Sequence, residues 1–139
     1  MMEGYAAEAV RLGADFGVAL DYSDASVQDL ERILAELSEK LEKLLPSASA
    51  TNDTAQAQLD VTARVWGGYF GETIRRLWGG EWGVETYPGS VAPVISVDIG
   101  RAKLFPVMKV YRRLTQGGAE NVWDFYQMVR EKLAVGNKQ

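Results

Sequence analysis

Val65-Trp66-Gly67-Gly68-Tyr69-Phe70-Gly71-Glu72-Thr73-Ile74-Arg75-Arg76-Leu77-Trp78-Gly79-Gly80-Glu81-Trp82 divides the chain in two. The sequence before it has helical periodicity, and the sequence after it begins with strand-like alternation. At about 100° per residue, Leu59, Ala63, Trp66, Phe70, Ile74 and Leu77 fall in one narrow stripe, which reads as a core face. The other side is unusual. Val61, Val65 and Gly68 lie there, and Glu72, Arg75 and Arg76 follow. A helix apolar on two sides is expected to be covered on both. Gly67, Gly68 and Gly71 each cost roughly 1 kcal/mol relative to Ala inside a helix. Close approach of another backbone to Gly68 or Gly71 is the expected offset. Gly79-Gly80 ends the helix.

Working outward, the 139 residues suit a single domain over 1–139 with a real core. Hydrophobic content of 47% and charged content of 24% are ordinary globular values, which fits a soluble chain. No secretory segment or membrane span is legible, so a cytoplasmic location is expected. The chain has no cysteine and no histidine. That removes thiolate nucleophiles, Ser-His-Asp triads and the common Cys or His metal sites. No catalytic residue, cofactor or metal is assigned. Residues 1–70 carry 12 acids and 5 bases, and residues 71–139 carry 7 acids and 10 bases. Arg101, Lys103, Lys109, Arg112 and Arg113 form a run without an intervening acid. The run either balances the acidic half within the fold or receives a small anionic ligand. The net charge of −4 weighs against nucleic acid.

A helix is expected over 3–18, ended by Gly17, with Leu20-Asp21-Tyr22 as an extended connector. Over 24–45, Val27, Leu30, Leu34, Leu37, Leu41 and Leu44 step in threes and fours, as in a coiled-coil seam. The central helix and the first helix are expected to cover this seam within the monomer, with a weak homodimer as the alternative. Pro46 is expected to end that helix, and 46–53 to be a flexible loop. The central helix is placed over 53–78, roughly 39 Å at 1.5 Å per residue. Trp82, Val84 and Thr86 then alternate with Gly83, Glu85 and Tyr87, as a strand does. Pro88-Gly89 reads as a turn. Further strands over 93–98 and 101–105 complete a three-stranded antiparallel meander. Helices over 107–116 and 119–134 follow, and 136–139 is expected to fray. The fold class is α+β, with four to five helices around the meander.

Tyr69-x-Gly71-Glu72-x-x-Arg75-Arg76 with Gly79-Gly80-x-Trp82 resembles a block found in a family of uncharacterised bacterial proteins of unknown function. Leu20-Asp21-Tyr22-Ser23, Phe105-Pro106-x-x-Lys109-Val110-Tyr111-x-Arg113-Leu114 and Asp124-Phe125-Tyr126 extend the resemblance over most of the chain from residue 20. It implies a small bacterial α+β domain and carries no activity.

Glu72 with Arg76 is an i, i+4 ion pair, with Arg75 as its i+3 alternative. Glu72 is expected to be at least half buried and bonded to an arginine. A salt bridge neutralising a half-covered acid is the simplest reading. The sharper one is a cleft carboxylate that orients a ligand beside Tyr69 and the arginines, with Asp60 or Asp98 as further acids. The four tryptophans read as core, though Trp78 falls off the main stripe. The candidate surface is therefore Tyr69, Glu72, Arg75, Arg76, Trp78 and Trp82, at the junction of helix and sheet. The expected function is a non-enzymatic binding or regulatory domain with an unknown protein partner at that junction. The alternative is a small-ligand binder or carboxylate-based enzyme using Glu72.

Overall fold

The computed structural model describes residues 2–48, 53–85 and 94–137. Among them are α1 (Met2–Gly13), α2 (Asp24–Ala48), α3 (Asp53–Trp78), β1 (Glu81–Glu85), β2 (Val94–Ile99), β3 (Ala102–Leu104), α4 (Pro106–Gln116) and α5 (Val122–Asn137). Short 3-10 turns at Ala14–Phe16 and Gly118–Glu120 precede α2 and α5. The strands form one antiparallel sheet in the order β1-β2-β3. The class is α+β, as the periodicities indicate.

Every other element is placed relative to α3. Leu59, Ala63, Trp66, Phe70 and Ile74 are buried, as their common stripe requires. Leu77, assigned to the same stripe, is exposed, because the last turn of α3 runs past the core's edge. The glycines lie beneath three different neighbours. A Cβ on Gly67 would lie 2.6 Å from the Val107 Cα of α4. One on Gly68 would lie 2.9 Å from Tyr5 Cβ and 3.3 Å from the Met2 carbonyl oxygen of α1. One on Gly71 would strike the Trp82 ring and Pro106 Cγ, the latter at 2.7 Å. The backbone approach anticipated at Gly68 is present. The tightest such contact is at Gly67, and Gly71 instead accommodates an indole.

The second cover of α3 is therefore α1, whose Ala6 and Ala9 are small enough to let the helices close. Its 12 residues span only about 18 Å. Val65 and Gly68 lie beneath it, but Val61 remains exposed. The two-sided apolar face of α3 is thus covered only from Val65 onward.

The leucine seam of α2 is buried at Val27, Leu30 and Leu34, with Ile33 beside it, and half-buried at Leu37 and Leu41. Its cover differs from expectation. α4 and α5 supply most of it and α3 less, because the sides of α3 are already taken by α1, α4 and the sheet. Polar links seal the contact. Arg113 donates to Glu31 at 2.9 Å, the Val122 N–H to Glu31 at 3.0 Å, and the Ser38 hydroxyl to the Leu114 carbonyl at 3.1 Å. Most of the basic run is likewise spent within the fold. Arg113 is buried on Glu31, Lys109 lies 3.7 Å from Glu120, and Lys103 lies 3.4 Å from Asp98.

Several boundaries shift. α2 continues through Pro46 to Ala48, so 46–48 is helical and not loop. Residues 49–52 and the Pro88-Gly89 turn lie outside the described residues. α5 starts at Val122, after the 3-10 turn, and includes Gly136 and Asn137, where the sequence predicts a frayed tail. In the meander, Trp82 pairs with Val97, Val84 with Ile95, and Val97 with Leu104. These residues share one face, and Val97 at its centre is fully buried beneath the helices.

Gly67→Ala is expected to cost about 1–3 kcal/mol in urea denaturation, since the α4 backbone cannot yield cheaply. Gly4→Ala, where no neighbour lies within 4 Å, should be neutral or stabilising by up to about 1 kcal/mol.

Candidate functional site

Glu72 sits where α3 meets the sheet and is 0% exposed. Its carboxylate is saturated. Oε1 accepts from Arg75 Nε at 2.8 Å and from Trp82 Nε1 at 3.0 Å. Oε2 accepts from Arg75 Nη2 at 2.7 Å and from Arg76 Nε at 2.8 Å. The paired Arg75 hydrogen bonds pull the Glu72 pKa down to about 2, against the opposing effect of burial, with Arg76 and Trp82 assisting. The Arg75 pKa is raised in turn, chiefly by the bond to Glu72. The arginines reach water, with side chains 32% and 47% exposed. Both lie one turn beyond Glu72, as the i+3 and i+4 spacing dictates. Trp82 arrives from β1 because Gly79 and Gly80 adopt φ of +80° and +118° and reverse the chain sharply. Its ring then lies over Gly71, and its N–H reaches back to Glu72.

On the other side, the Arg76 guanidinium lies 3.7 Å from the Tyr22 ring centroid. That ring packs on Tyr69 with centroids 4.9 Å apart. Tyr22 has φ of +63°, a strained conformation for a side-chain-bearing residue. The strain is held by specific bonds: the Tyr22 N–H donates to Tyr69 Oη at 2.8 Å, and Tyr69 Oη donates to Ser26 Oγ at 2.7 Å. Ser26 Oγ donates to the Ser23 carbonyl at 2.6 Å. One network therefore runs from the sheet through Glu72 and Arg76 to the start of α2.

Tyr69, Glu72, Arg75, Arg76 and Trp82 are brought together. Tyr69 and Glu72 are fully buried, so they support the surface from beneath and do not form part of it. Trp78 joins a neighbouring network. Its Nε1 donates to Tyr126 Oη at 3.2 Å, the Tyr126 hydroxyl donates to Asp24, and Arg130 holds Asp24 at 3.2 Å. Burial, followed by the bond to Asp24, pushes Tyr126 up to about 12. The further acids do not converge on Glu72. Asp60 accepts from Gln56, and Asp98 accepts from Ser96 and pairs with Lys103. Among the described residues, no three acidic side chains are grouped to hold a metal.

Beside these arginines, the junction presents an apolar patch to solvent. Trp82 and Val84, two residues apart, share a sheet face with Ile95 across the strand pair. Trp82 is partly covered by α3, whereas Val84 lies past its edge and is 69% exposed. Met2, Glu3, Trp82, Gly83, Val84 and Ile95 line a hollow of about 340 Å³ there. The alternation of Trp82, Val84 and Thr86 was visible in the sequence. Which of them lay beyond the helix was not.

Comparison of the chain with family models, curated proteins and solved structures returns no match. Among the described residues, no helix is long and apolar enough to cross a membrane.

Glu72→Gln should cost at most about 3 kcal/mol, the low end for breaking a buried pair, because the orphaned arginines can turn to water. The carboxyl's pKa is lowered from 4.5 to about 2 by folding. Its contribution is thus complete above the unfolded value and lost as pH falls through the folded one. Urea titrations should give a wild-type-minus-variant difference that is flat from pH 7 to about 5 and shrinks from 4.5 towards 2. Tyr69→Phe should cost about 1–3 kcal/mol, by orphaning the Tyr22 N–H; the Ser26 hydroxyl loses a donor but keeps its bond to the Ser23 carbonyl.

Proposed function

We propose that this chain is a non-enzymatic binding module, akin to the uncharacterised bacterial family its Glu72 block resembles. In this reading its partner is a protein that docks along β1 at the helix–sheet junction. The observation that carries it is Val84, an apolar residue 69% exposed on a strand at the edge of the sheet. Val84 continues the face of half-buried Trp82 and buried Val97, so an apolar side chain laid against it would extend the existing core. Among the described residues β1 pairs with β2 alone, which leaves its outer edge able to accept an added strand. Glu3 lines the hollow and Glu81 is exposed on β1, so the fitting segment is extended, apolar and flanked by basic residues.

The chemistry of Glu72 supports the same reading against an acid–base role. A general base needs a pKa near the working pH and an available lone pair. Glu72 is held at about 2 with both oxygens engaged.

Affinity isolation from host cells, comparing the wild type with Val84→Glu, tests the proposal. Because Val84 is exposed, the variant should melt within a few degrees of the wild type. A protein enriched by the wild type and lost with Val84→Glu, and competed by a basic–apolar peptide from its own sequence, is the expected result. Equal recovery by both proteins would remove β1 as the docking edge.

A further inference from the structure

Two helices carry the same short pattern. Phe105, Met108 and Arg112 lead into and along α4 at spacings of three and four, and Phe125, Met128 and Lys132 repeat it on α5. Such stripes ordinarily close on each other as core. Here they do not. α4 and α5 touch little, and their stripes line one open hollow of about 380 Å³ beside β3. Phe105, Met108 and Phe125 are half-buried in it, and Met128 is 46% exposed. Phe125 is fixed from below by an edge-on contact with Phe70, at 6.1 Å between centroids. Lys109 Nζ lies 5.1 Å from the centre of the Phe125 ring. Lys103, Lys109, Arg112 and Lys132 also line the hollow, and among the described residues no acid does. Two of these lysines also pair with acids that do not line it, Lys109 with Glu120 and Lys103 with Asp98.

We propose that this groove binds a small amphipathic carboxylate, with an apolar chain on the phenyl and thioether floor and a head group held by Lys109, Arg112 and Lys132. Size selects this occupant. Small-ligand pockets measure about 300–1,000 Å³, and 380 Å³ lies at the lower end of that range. A protein interface recruits about 20–30 residues a side, whereas ten of the described residues line this hollow. Polyanions fit poorly with a chain of net charge −4. Methionine suits an apolar chain of variable length, because its thioether re-packs at little cost. The site lies on α4 and α5, away from β1, and does not depend on the partner proposed there.

The probe is decanoate, titrated into isotopically labelled protein and followed by amide chemical shifts. Saturable shifts confined to β3, α4 and α5, weakened by added salt, are expected. Decyltrimethylammonium, with a similar chain and the opposite charge, and inorganic phosphate, with no chain, should leave these amides unmoved. Lys132→Glu with Arg112→Glu should weaken decanoate by about tenfold or more. Met128→Lys separates chain from charge: it adds a cation but removes floor, so decanoate should bind more weakly, whereas a purely electrostatic site would bind it more tightly. Met128 and Lys132 are exposed and Arg112 is half-buried, and the dispersion of the variants' spectra reports whether the fold is kept. The proposal fails if decanoate gives no saturable shift, if decyltrimethylammonium binds equally, or if charge reversal leaves affinity unchanged. It fails also if the shifts centre on the 580 Å³ hollow between α1 and α3. An acidic amphipathic peptide that moves the groove amides where decanoate does not would overturn it in favour of a protein partner.

Discussion

α3 must be approached by three neighbours within two turns, and glycine is the residue that permits it. At Gly67 the backbone of α4 lies closer than any Cβ would allow, and at Gly68 the start of α1 does. At Gly71 an indole occupies the space. Each glycine weakens the helix by roughly 1 kcal/mol on propensity alone. Burial of Tyr69, Phe70 and Ile74 among these glycines offsets that cost, since fully burying one such side chain contributes about 1.5–3 kcal/mol. The rest of the architecture follows from this crowding. With α1, α4 and the sheet already on α3, the α2 seam had to find its cover on α4 and α5.

Glu72 turns this packing into a fixed geometry. An acid with 0% exposure would be costly if it were left unpaired. Four donors from three residues satisfy it, and they differ in origin. The arginines come from the next turn of the same helix, whereas the tryptophan comes from the first strand. The carboxylate thus orients the sheet relative to α3. Through Arg76 stacked on Tyr22, it also braces the strained connector that launches α2. A residue with the appearance of a cleft acid therefore has its chemistry committed to holding three elements together.

With the centre so fully satisfied, the surfaces that stay open lie at the edges of the fold. The apolar face of the sheet runs out from under α3 at Val84, bordered by acids. The α4 and α5 stripes diverge around a hollow bordered by cations. These surfaces have opposite electrostatic character, although β1 and its Glu81 belong to the basic half of the sequence. The basic half is not simply a solvated counterweight: Arg113 is buried on Glu31, while Arg112, its neighbour, turns into the hollow.

Local information in the sequence determined the elements. The 3.6-residue period of Leu59 to Ile74, the stop at Gly79-Gly80 and the alternation after Trp82 depend on neighbours a few residues away, and they gave α3 and the meander nearly to the residue. The Glu72–Arg75–Arg76 cluster was legible for the same reason, since i+3 and i+4 spacing brings those groups together in any helix. Long-range partners were not legible. Nothing near Trp82 says that its N–H reaches Glu72, and nothing near Val107 says that its Cα will rest on Gly67. Pro46 signalled a helix end that the chain reached only two residues later, at Ala48. Exposure was hardest to read. Val84 and Val97 are equally apolar on one sheet face, yet Val97 lies beneath the helices and Val84 beyond them. Sequence periodicity tells a side chain which face it is on. Only the lengths and crossings of the elements packed above decide where that face ends, and the candidate binding surfaces lie at those ends.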